Sequence, residues 1–163
     1  MRRCHRSGYI WFLGSTFGGA AVTRNCTVPA GKAIFFPIAT VIAGAGALDC
    51  EPTGSGPCNL ATLRVLAAEP DDRVTLEVRL DGKPLRALRQ QRVQTPVFTL
   101  TFPANNVFDA PPGVNAPNVA DGYWIMLSPL RPDSHLVYSK GVFTGPVFNG
   151  VAIEATTHLT IGP

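Results

Sequence analysis

Alternation between apolar and polar side chains is the feature that most limits how this chain can fold. The segments Arg73–Leu80 and Val151–Ile161 carry apolar residues at nearly every second position. Because successive side chains of a strand point to opposite faces, this period of two predicts strands with one face in a core. The almost continuous apolar run Lys32–Thr40 predicts a strand that is buried on both sides. The 16 glycines and 15 prolines favour many turns between strands over a helical protein.

Shorter patterns predict the remaining elements. Asp81-Gly82 is a hairpin signal after the first alternating segment. Leu60–Glu69 has the apolar spacing of a short helix, with Asn59 as its N-cap and Pro70 and two aspartates at its end. Further strands are predicted at Ile10–Leu13, Ala21–Val28, Pro96–Phe102, Gly122–Leu127, His135–Ser139 and Val142–Val147. About eight or nine short strands and one capping helix predict an all-β fold, a single antiparallel β-sandwich domain of jelly-roll or immunoglobulin-like type over residues 1–163.

Four cysteines in a loop-rich chain predict disulfides. Cys50 and Cys58 bracket a short ring rich in glycine and proline, which favours a bridge between them. Cys4 and Cys26 then pair by elimination, although four cysteines allow three connectivities. Zinc is disfavoured because no cysteine pair has the short spacing of a zinc knuckle and the three histidines are scattered. Disulfides predict an extracellular or periplasmic location, since they persist in oxidising compartments.

The charge and hydropathy patterns limit the partners. A formal net charge of +3 is too small to indicate a nucleic-acid partner. No apolar run approaches the ~20 residues of a transmembrane helix. Gly8–Val22 makes an unconvincing signal peptide, because glycine, serine and threonine interrupt its apolar residues. Arg86, Arg89 and Arg92 are spaced by three, which indicates a solvated face or, as the alternative, a patch for an acidic glycan.

Four segments share a pattern with known proteins. They are Tyr9-Ile-Trp-Phe-Leu-Gly-Ser-Thr-Phe-Gly-Gly19, Arg24-Asn-Cys-Thr-Val-Pro-Ala-Gly-Lys-Ala-Ile-Phe-Phe-Pro37, Asp121-Gly-Tyr-Trp-Ile-Met-Leu-Ser-Pro-Leu130 and His135-Leu-Val-Tyr138. This pattern resembles a group of uncharacterised exported bacterial proteins, and the resemblance covers most of the chain. Its most specific part is the stretch that ends at Pro37. Members of the group begin with a signal peptide and further residues, so the resemblance implies export and a truncated N-terminus, but no function.

Pro103–Asp121 is a long stretch without periodicity, and it contains several asparagines and prolines. Loops of this length in compact domains are uncommon and are often functional. Its oxygen donors Asn105, Asn106, Asp109 and Asp121 are of the kind that binds calcium, but they lack the spacing of an EF-hand loop. The sequence therefore predicts neither a metal site nor a cofactor.

The candidate ligand-binding residues follow this loop. Asp121, Tyr123 and Trp124 combine a carboxylate with two aromatic rings, which can stack on a sugar ring and bond its hydroxyl groups. The alternative is that both aromatic residues are structural. His135 is the candidate acid–base residue, with Asp133 and Ser134 directly before it. Neighbouring strand residues point to opposite faces, so these three cannot form a catalytic triad by themselves.

These features favour a non-catalytic extracytoplasmic module that binds a ligand, a glycan or an envelope protein through its loops. The alternative is a secreted enzyme that acts on a polymer, with its site around residues 103–121 and His135. A second alternative is a structural domain of a larger secreted protein. No catalytic motif in the sequence selects the enzyme.

Overall fold

The computed structural model describes residues 4–44, 59–146 and 148–162, with side chains from Gly8 onward. Within these ranges the chain forms strands, one α-helix and two short 3-10 turns. The strands are β1 (Cys4–Ser7), β2 (Ile10–Leu13), β3 (Val22–Pro29), β4 (Ala33–Gly44), β5 (Val74–Leu80), β6 (Lys83–Pro84), β7 (Arg92–Gln94), β8 (Phe98–Phe102), β9 (Gly113–Leu127), β10 (Ser134–Phe143) and β11 (Ala152–Gly162). The helix α1 spans Leu60–Ala68, and the 3-10 turns span Pro70–Arg73 and Leu88–Gln91. The prediction of a mainly β protein is confirmed.

The strands form two mixed sheets. The first has the order β1-β2-β4-β9-β7, with β8 also paired to β9, and the second has the order β3-β11-β10-β5-β6. The prediction of purely antiparallel sheets is wrong, because β2 and β4 run parallel, as do β3 and β11. The cause is the path of β3, since the chain leaves the first sheet after β2, crosses to the second sheet and returns as β4. A strand that comes back after such a crossover can enter its sheet in the direction of the strand before it.

One hydrophobic core receives side chains from both sheets. Ile34 of β4 and Ile125 of β9 come from the first sheet, and Val78 of β5 and Leu159 of β11 come from the second. The apolar faces predicted for β5 and β11 are confirmed as the buried faces of these strands. The two sheets therefore share the burial that stabilises them.

The predicted helix is confirmed to within one residue. Asn59 is its N-cap, because Asn59 Oδ1 accepts a hydrogen bond from the Thr62 N–H at 3.0 Å. Leu63 and Ala67 lie one turn apart and pack with Val119 of β9 in a second, smaller apolar cluster. The described ranges contain no helix with the length and apolar character that crossing a bilayer requires.

The largest difference between sequence and structure concerns β9. The sequence predicts a loop over Pro103–Asp121, but β9 begins at Gly113, so only residues 103–112 form a loop. One reason is that the exposed or partly exposed residues 113–117 include Asn115 and Pro117, which are typical of turns. The other is that residues 118–123 are all buried, and a strand buried on both faces shows no alternation. The predicted break between His135–Ser139 and Val142–Val147 is also wrong, since β10 runs without interruption from Ser134 to Phe143 and so includes the first segment and the first two residues of the second.

The hairpin and one cysteine can be compared directly with prediction. Asp81 and Gly82 both have positive φ, 51° and 75°, and they connect β5 to β6 as the hairpin signal predicts. Cys26 is buried in β3 and is disulfide-bonded. The Cys4 side chain and the Cys50–Cys58 segment lie outside the described residues, so both predicted pairings stay predictions.

Candidate functional site

A pocket of about 570 Å³ lies between the two sheets. Strands β4, β8 and β9 of the first sheet line one side, and β10 and β11 of the second sheet line the other. The loop of residues 103–112 and the segment 14–21 before β3 also supply lining residues. Its volume falls within the ~300–1,000 Å³ range of small-molecule sites. The long loop that the sequence marks as a functional candidate therefore does border a cavity.

The pocket wall is apolar and rich in phenylalanine. The aromatic lining residues among those described are Phe17, Phe102, Phe108, Phe143 and Phe148, and the aliphatic ones include Val41, Ile42, Leu100, Val151 and Ile153. We call this cavity the Phe-rich pocket. Removing apolar surface from water contributes about 25 cal/mol per Å², so a wall of this composition favours an apolar ligand.

Three phenylalanine rings come together at one side of the Phe-rich pocket. The Phe108 ring lies edge-to-face against Phe17, with centroids 5.0 Å apart, and against Phe102 at 5.8 Å. Phe102 belongs to β8, whereas Phe17 and Phe108 lie in loops and are 64% and 38% exposed. Large apolar side chains exposed beside an apolar cavity are typical of a ligand-binding surface.

Two features fix the segment that carries Phe17. The Arg24 guanidinium donates hydrogen bonds to the carbonyls of Gly14 and Ser15, the second at 3.0 Å. At Gly18 the backbone has a φ of +90°, and a Cβ there would lie 3.1 Å from Val151 Cγ1. Both the left-handed conformation and the close approach favour glycine. The segment is therefore held against a residue of the pocket wall.

Asn106 organises the loop that carries Phe108. Its Nδ2 donates to the carbonyls of Pro103 at 3.1 Å and Ala110 at 2.7 Å. Its Oδ1 accepts from the N–H groups of Phe108 at 3.0 Å and Ala110 at 3.2 Å. Asparagine side chains commonly stabilise turns in this way. Because one side chain bonds the loop in four places, this wall is formed before a ligand arrives.

Few polar side chains line the Phe-rich pocket. Asn118 is buried, and its Nδ2 donates to the Asn115 carbonyl at 2.7 Å and to the Phe98 carbonyl at 3.4 Å. Asn115, Thr40 and Asp109 complete the polar side chains of the described lining. Such a wall offers a ligand a few hydrogen-bonding groups and little charge.

The predicted site residue Asp121 lies in a different place, beside Arg92. Asp121 is buried, and its Oδ1 accepts from Arg92 Nε at 2.7 Å while its Oδ2 accepts from Gln94 Nε2 at 3.0 Å. Arg92 also pairs with Asp72 and donates to the Ala68 carbonyl at 2.7 Å. Burial opposes the charge on Arg92, but the hydrogen bonds to the two aspartates outweigh it and raise the pKa of the guanidinium.

The predicted site residue Tyr123 joins the same group. Tyr123 is buried, and its hydroxyl donates to the Asp71 carbonyl at 3.1 Å and accepts from Arg89 Nη1 at 3.0 Å. Arg86 and Arg89 are exposed, as the predicted solvated face requires, but Arg89 and the partly buried Arg92 also bind partners within the protein. We call the group the Arg92 cluster, and its members are Asp71, Asp72, Arg92, Asp121 and Tyr123.

Asp71 is a residue whose environment the sequence does not reveal. The sequence predicts Asp71 and Asp72 as a turn that ends the helix, and both do lie in the 3-10 turn after α1. Asp71 is fully buried, and neither oxygen of its carboxyl group has a hydrogen-bond partner among the described residues. Burial and then the charge of Asp121 raise the pKa of Asp71 to about 8. Such groups can mark active sites, but Asp71 does not line the Phe-rich pocket.

Trp124 lies on the opposite face of β9 from Tyr123. Its ring stacks on Phe35 of β4, with centroids 5.5 Å apart and planes 5° from parallel, and Phe12 of β2 meets Phe35 edge-to-face at 5.6 Å. Three strands thus carry a row of partly exposed aromatic rings. Met126, further along β9, is 51% exposed. Trp124 therefore belongs to a surface that is separate from the Arg92 cluster.

His135 lies near the start of β10 and contacts the turn of the β5–β6 hairpin. Its Nδ1 lies 2.7 Å from Asp81 Oδ2, and its Nε2 lies 3.0 Å from the Arg131 carbonyl. The hydrogen bond with Asp81 raises the pKa of His135, and the same bond lowers the pKa of Asp81. Both ring nitrogens are engaged, and His135 does not line the Phe-rich pocket. The four predicted site residues therefore do not converge on one site.

Comparisons with family models, curated proteins and solved structures found no match to this chain. Among the described residues, no group of three His, Cys, Asp or Glu side chains is placed to bind a metal ion.

One sequence signal could have pointed to the Phe-rich pocket. Phe17 is followed by two glycines, and Phe108 stands in a stretch with three prolines close by. Segments of this composition contribute little to a core, so a large aromatic residue in each has no obvious burial site. Two such residues in separate loops indicate a shared apolar surface.

Proposed function

We propose that this chain is an extracytoplasmic domain that binds an apolar small molecule in the Phe-rich pocket. The observation that carries the proposal is a pocket of about 570 Å³ whose described wall includes five phenylalanines. Small-molecule sites are usually concave, mostly apolar and equipped with a few polar groups, and Thr40, Asn115 and Asn118 are such groups here. The hydrogen bonds of Asn106 support the proposal, because a wall ordered in advance lowers the entropic cost of binding.

The location and the finer fold belong to the same proposal. The disulfide-bonded Cys26 supports an oxidising compartment, as does the resemblance to exported bacterial proteins. We propose that Cys4 pairs with Cys26, because Leu13, the register partner of Cys4, packs in the same core as Cys26. The shared core of the two sheets supports a β-sandwich, with mixed sheets as a variation on the jelly-roll or immunoglobulin-like type.

The test is a titration with N-phenyl-1-naphthylamine, an uncharged fluorophore that brightens in apolar surroundings. We expect saturable binding with one site per chain and a micromolar Kd. Replacing Phe17 with Ala should weaken binding about fivefold, the equivalent of ~1 kcal/mol of lost contact. Tyr9→Ala is the matched control, because Tyr9 is also aromatic and exposed (83%) but does not line the pocket. Absence of saturable binding, or equal losses in the two variants, would contradict the proposal.

The aromatic row of Phe12, Phe35 and Trp124 supports a second candidate function, the binding of a glycan or an envelope protein. Stacked rings on an open sheet face can carry sugar rings or an apolar protein surface. The test is isothermal titration with soluble oligosaccharides, in which Trp124→Ala should abolish binding and Phe17→Ala should leave it unchanged. Oligosaccharide binding that is insensitive to Trp124→Ala would remove this candidate.

The enzymatic alternative has less support from the contacts. His135, its acid–base candidate, is engaged through both ring nitrogens and lies outside the lining of the pocket that borders loop 103–112. A structural role within a larger secreted protein stays the third alternative. A chain that binds neither the fluorophore nor oligosaccharides would favour that role.

A further inference from the structure

The wall of the Phe-rich pocket has no basic side chain among the described lining residues. Those residues come from four stretches of the chain, 8–23, 33–58, 93–130 and 141–157, and none of the four contains Lys, Arg or His. All 14 Lys and Arg residues and all 3 His residues of the chain lie outside these stretches. Asp109 is the one charged side chain of the described lining. The absence of basic residues is therefore a property of these stretches of sequence, and the fold places parts of all four around the pocket.

The backbone N–H groups of the loop beside the Phe-rich pocket are also used within the loop. The Phe108 and Ala110 N–H groups donate to Asn106 Oδ1, and the Asp109 N–H donates to the Asn106 carbonyl at 3.3 Å. The next two residues are prolines, which have no N–H group. Successive free N–H groups are what a loop uses to bind an anion. From Phe108 to Pro112, this loop therefore has no free backbone N–H group for an anion.

Three amide side chains lie at or near the Phe-rich pocket; Asn115 Nδ2 can donate to a ligand, and the other two are already used. Asn118 Nδ2 is directed to the carbonyls of Asn115 and Phe98, and Asn106 Nδ2 is directed to carbonyls within its own loop. An anionic group that left water for this pocket would lose its hydration without gaining a cation or enough N–H donors. An uncharged group loses far less, and an ammonium group could pair with Asp109.

We propose that the ligand of the Phe-rich pocket is an apolar molecule that carries no negative charge. The inference rests on the proposed function and narrows it, because it separates uncharged or amine-bearing molecules from fatty acids, sulfonates and phosphates of similar apolar size. Selectivity comes from the lack of basic side chains and the small number of N–H donors in the described wall, since an anion there finds too few partners to replace its hydration.

The experiment compares two probes that share one skeleton. N-phenyl-1-naphthylamine is uncharged, and 8-anilino-1-naphthalenesulfonate is the same molecule with one sulfonate added. Binding in the pocket is taken as the part of each fluorescence titration that Phe108→Ala removes, with Phe17→Ala as a second pocket variant. We expect the sulfonate to bind the pocket at least about tenfold more weakly than the uncharged probe. Equal affinities would overturn this inference and leave the proposed function standing, whereas no binding of either probe would overturn the proposed function itself.

Variants at Asp109 test whether charge is the cause. Asp109→Lys places a cation at the pocket wall, so it should strengthen binding of the sulfonate about fivefold and change binding of the uncharged probe less than about twofold. Asp109→Asn is the matched control, because it removes the negative charge without adding a positive one, and its effect on the sulfonate should be smaller. A sulfonate affinity that stays the same in Asp109→Lys would contradict the proposed cause of selectivity.

Discussion

The Phe-rich pocket and the Arg92 cluster lie on the same strand but differ in nearly every physical respect. Asn118 of β9 lines the pocket, and Asp121, three residues later, anchors the cluster. The pocket is open, apolar and poor in charge. The cluster contacts the Ala68 carbonyl of α1 and the following 3-10 turn, and it combines one arginine with three aspartates and Tyr123, to which Arg89 also donates.

The difference shows which region has side chains that are not already bonded within the protein and can contact a ligand. In the cluster, Arg92 directs its guanidinium at Asp121, Asp72 and the Ala68 carbonyl, so its donors are used within the fold. An ion pair with one buried partner, here Asp121, holds elements in place, because removal of Arg92 would leave that buried charge unpaired. In the pocket, aromatic side chains remain partly exposed. Arginine and aspartate, which are common in active sites, stabilise the fold here. The apolar wall of phenylalanines is the better surface for binding a ligand.

Replacing Arg92 with Met should have the largest effect of the substitutions considered, because the Arg92 cluster stabilises the fold. The substitution leaves Asp121 buried without its cation, so we expect the free energy of unfolding to fall by about 3–5 kcal/mol in urea denaturation. Arg79→Met is the control, since Arg79 pairs with Glu77 at 2.6 Å but is 54% exposed, and it should cost less than ~1 kcal/mol. Similar small losses in both variants would mean that the Arg92 cluster does not hold the fold and is free for another role.

Asp71→Asn tests whether the stability contributed by the Arg92 cluster depends on pH. The pKa of Asp71 rises from 3.8 to about 8 on folding, so the native state binds this proton more tightly than the unfolded chain does. Stability therefore falls as pH rises from about 4 to about 8, by up to ~1.4 kcal/mol per pH unit for this group. The Asn variant lacks this titration, so its stability relative to the wild type should increase over that range. Asp133→Asn, at an exposed position, is the control. A difference that is constant with pH would show that Asp71 ionises normally.

Asn106→Ala tests the pocket rather than the cluster. The variant loses the hydrogen bonds that join Pro103, Phe108 and Ala110, so the loop should lose its order and the affinity for N-phenyl-1-naphthylamine should fall about fivefold. The free energy of unfolding should fall by only ~1 kcal/mol, because the loop lies at the surface. Asn105→Ala, at the exposed neighbouring position, should change neither quantity. Unchanged probe affinity in Asn106→Ala would separate the loop from binding.

Local signals predicted much of the fold correctly, and long-range ones did not. The helix, its Asn59 cap and the Asp81-Gly82 hairpin depend on neighbours within a few residues, so the sequence contains all that determines them. The parallel pairing of β3 with β11 joins residues more than a hundred positions apart, and no local pattern specifies it. The sequence does not predict the start of β9, because Asn115 and Pro117 are residue types typical of turns and the buried stretch 118–123 shows no alternation.

The candidate site was harder to predict than the fold for a related reason. Asp121, Tyr123 and Trp124 are close together in the chain and are of types common in ligand sites. Their contacts, however, are with residues of distant segments: Arg92, Asp71 and Phe35. The phenylalanines of the pocket are far apart in the chain and of a type common in cores. Residue type alone therefore points to the wrong residues. Whether a side chain has a structural role or binds a ligand depends on its environment, which distant segments of the chain provide.

His135→Ala should have the smallest effect and sets the scale for an ion pair outside both regions. The imidazole side chain is 12% exposed, but its partner Asp81 is 45% exposed, so the pair should contribute at most ~1 kcal/mol. The raised pKa of His135 makes its contribution fully present below pH 6.5 and lost as pH rises through the folded-state pKa; the lowered pKa of Asp81 makes its contribution present above pH 3.8 and lost at lower pH. Urea denaturation should therefore show a larger loss for His135→Ala between about pH 4 and 6.5 than at pH 9, with the exposed His158→Ala as the control. A loss above ~2 kcal/mol at every pH would place His135 among the buried structural groups, and the polar architecture of the protein would then extend beyond the Arg92 cluster.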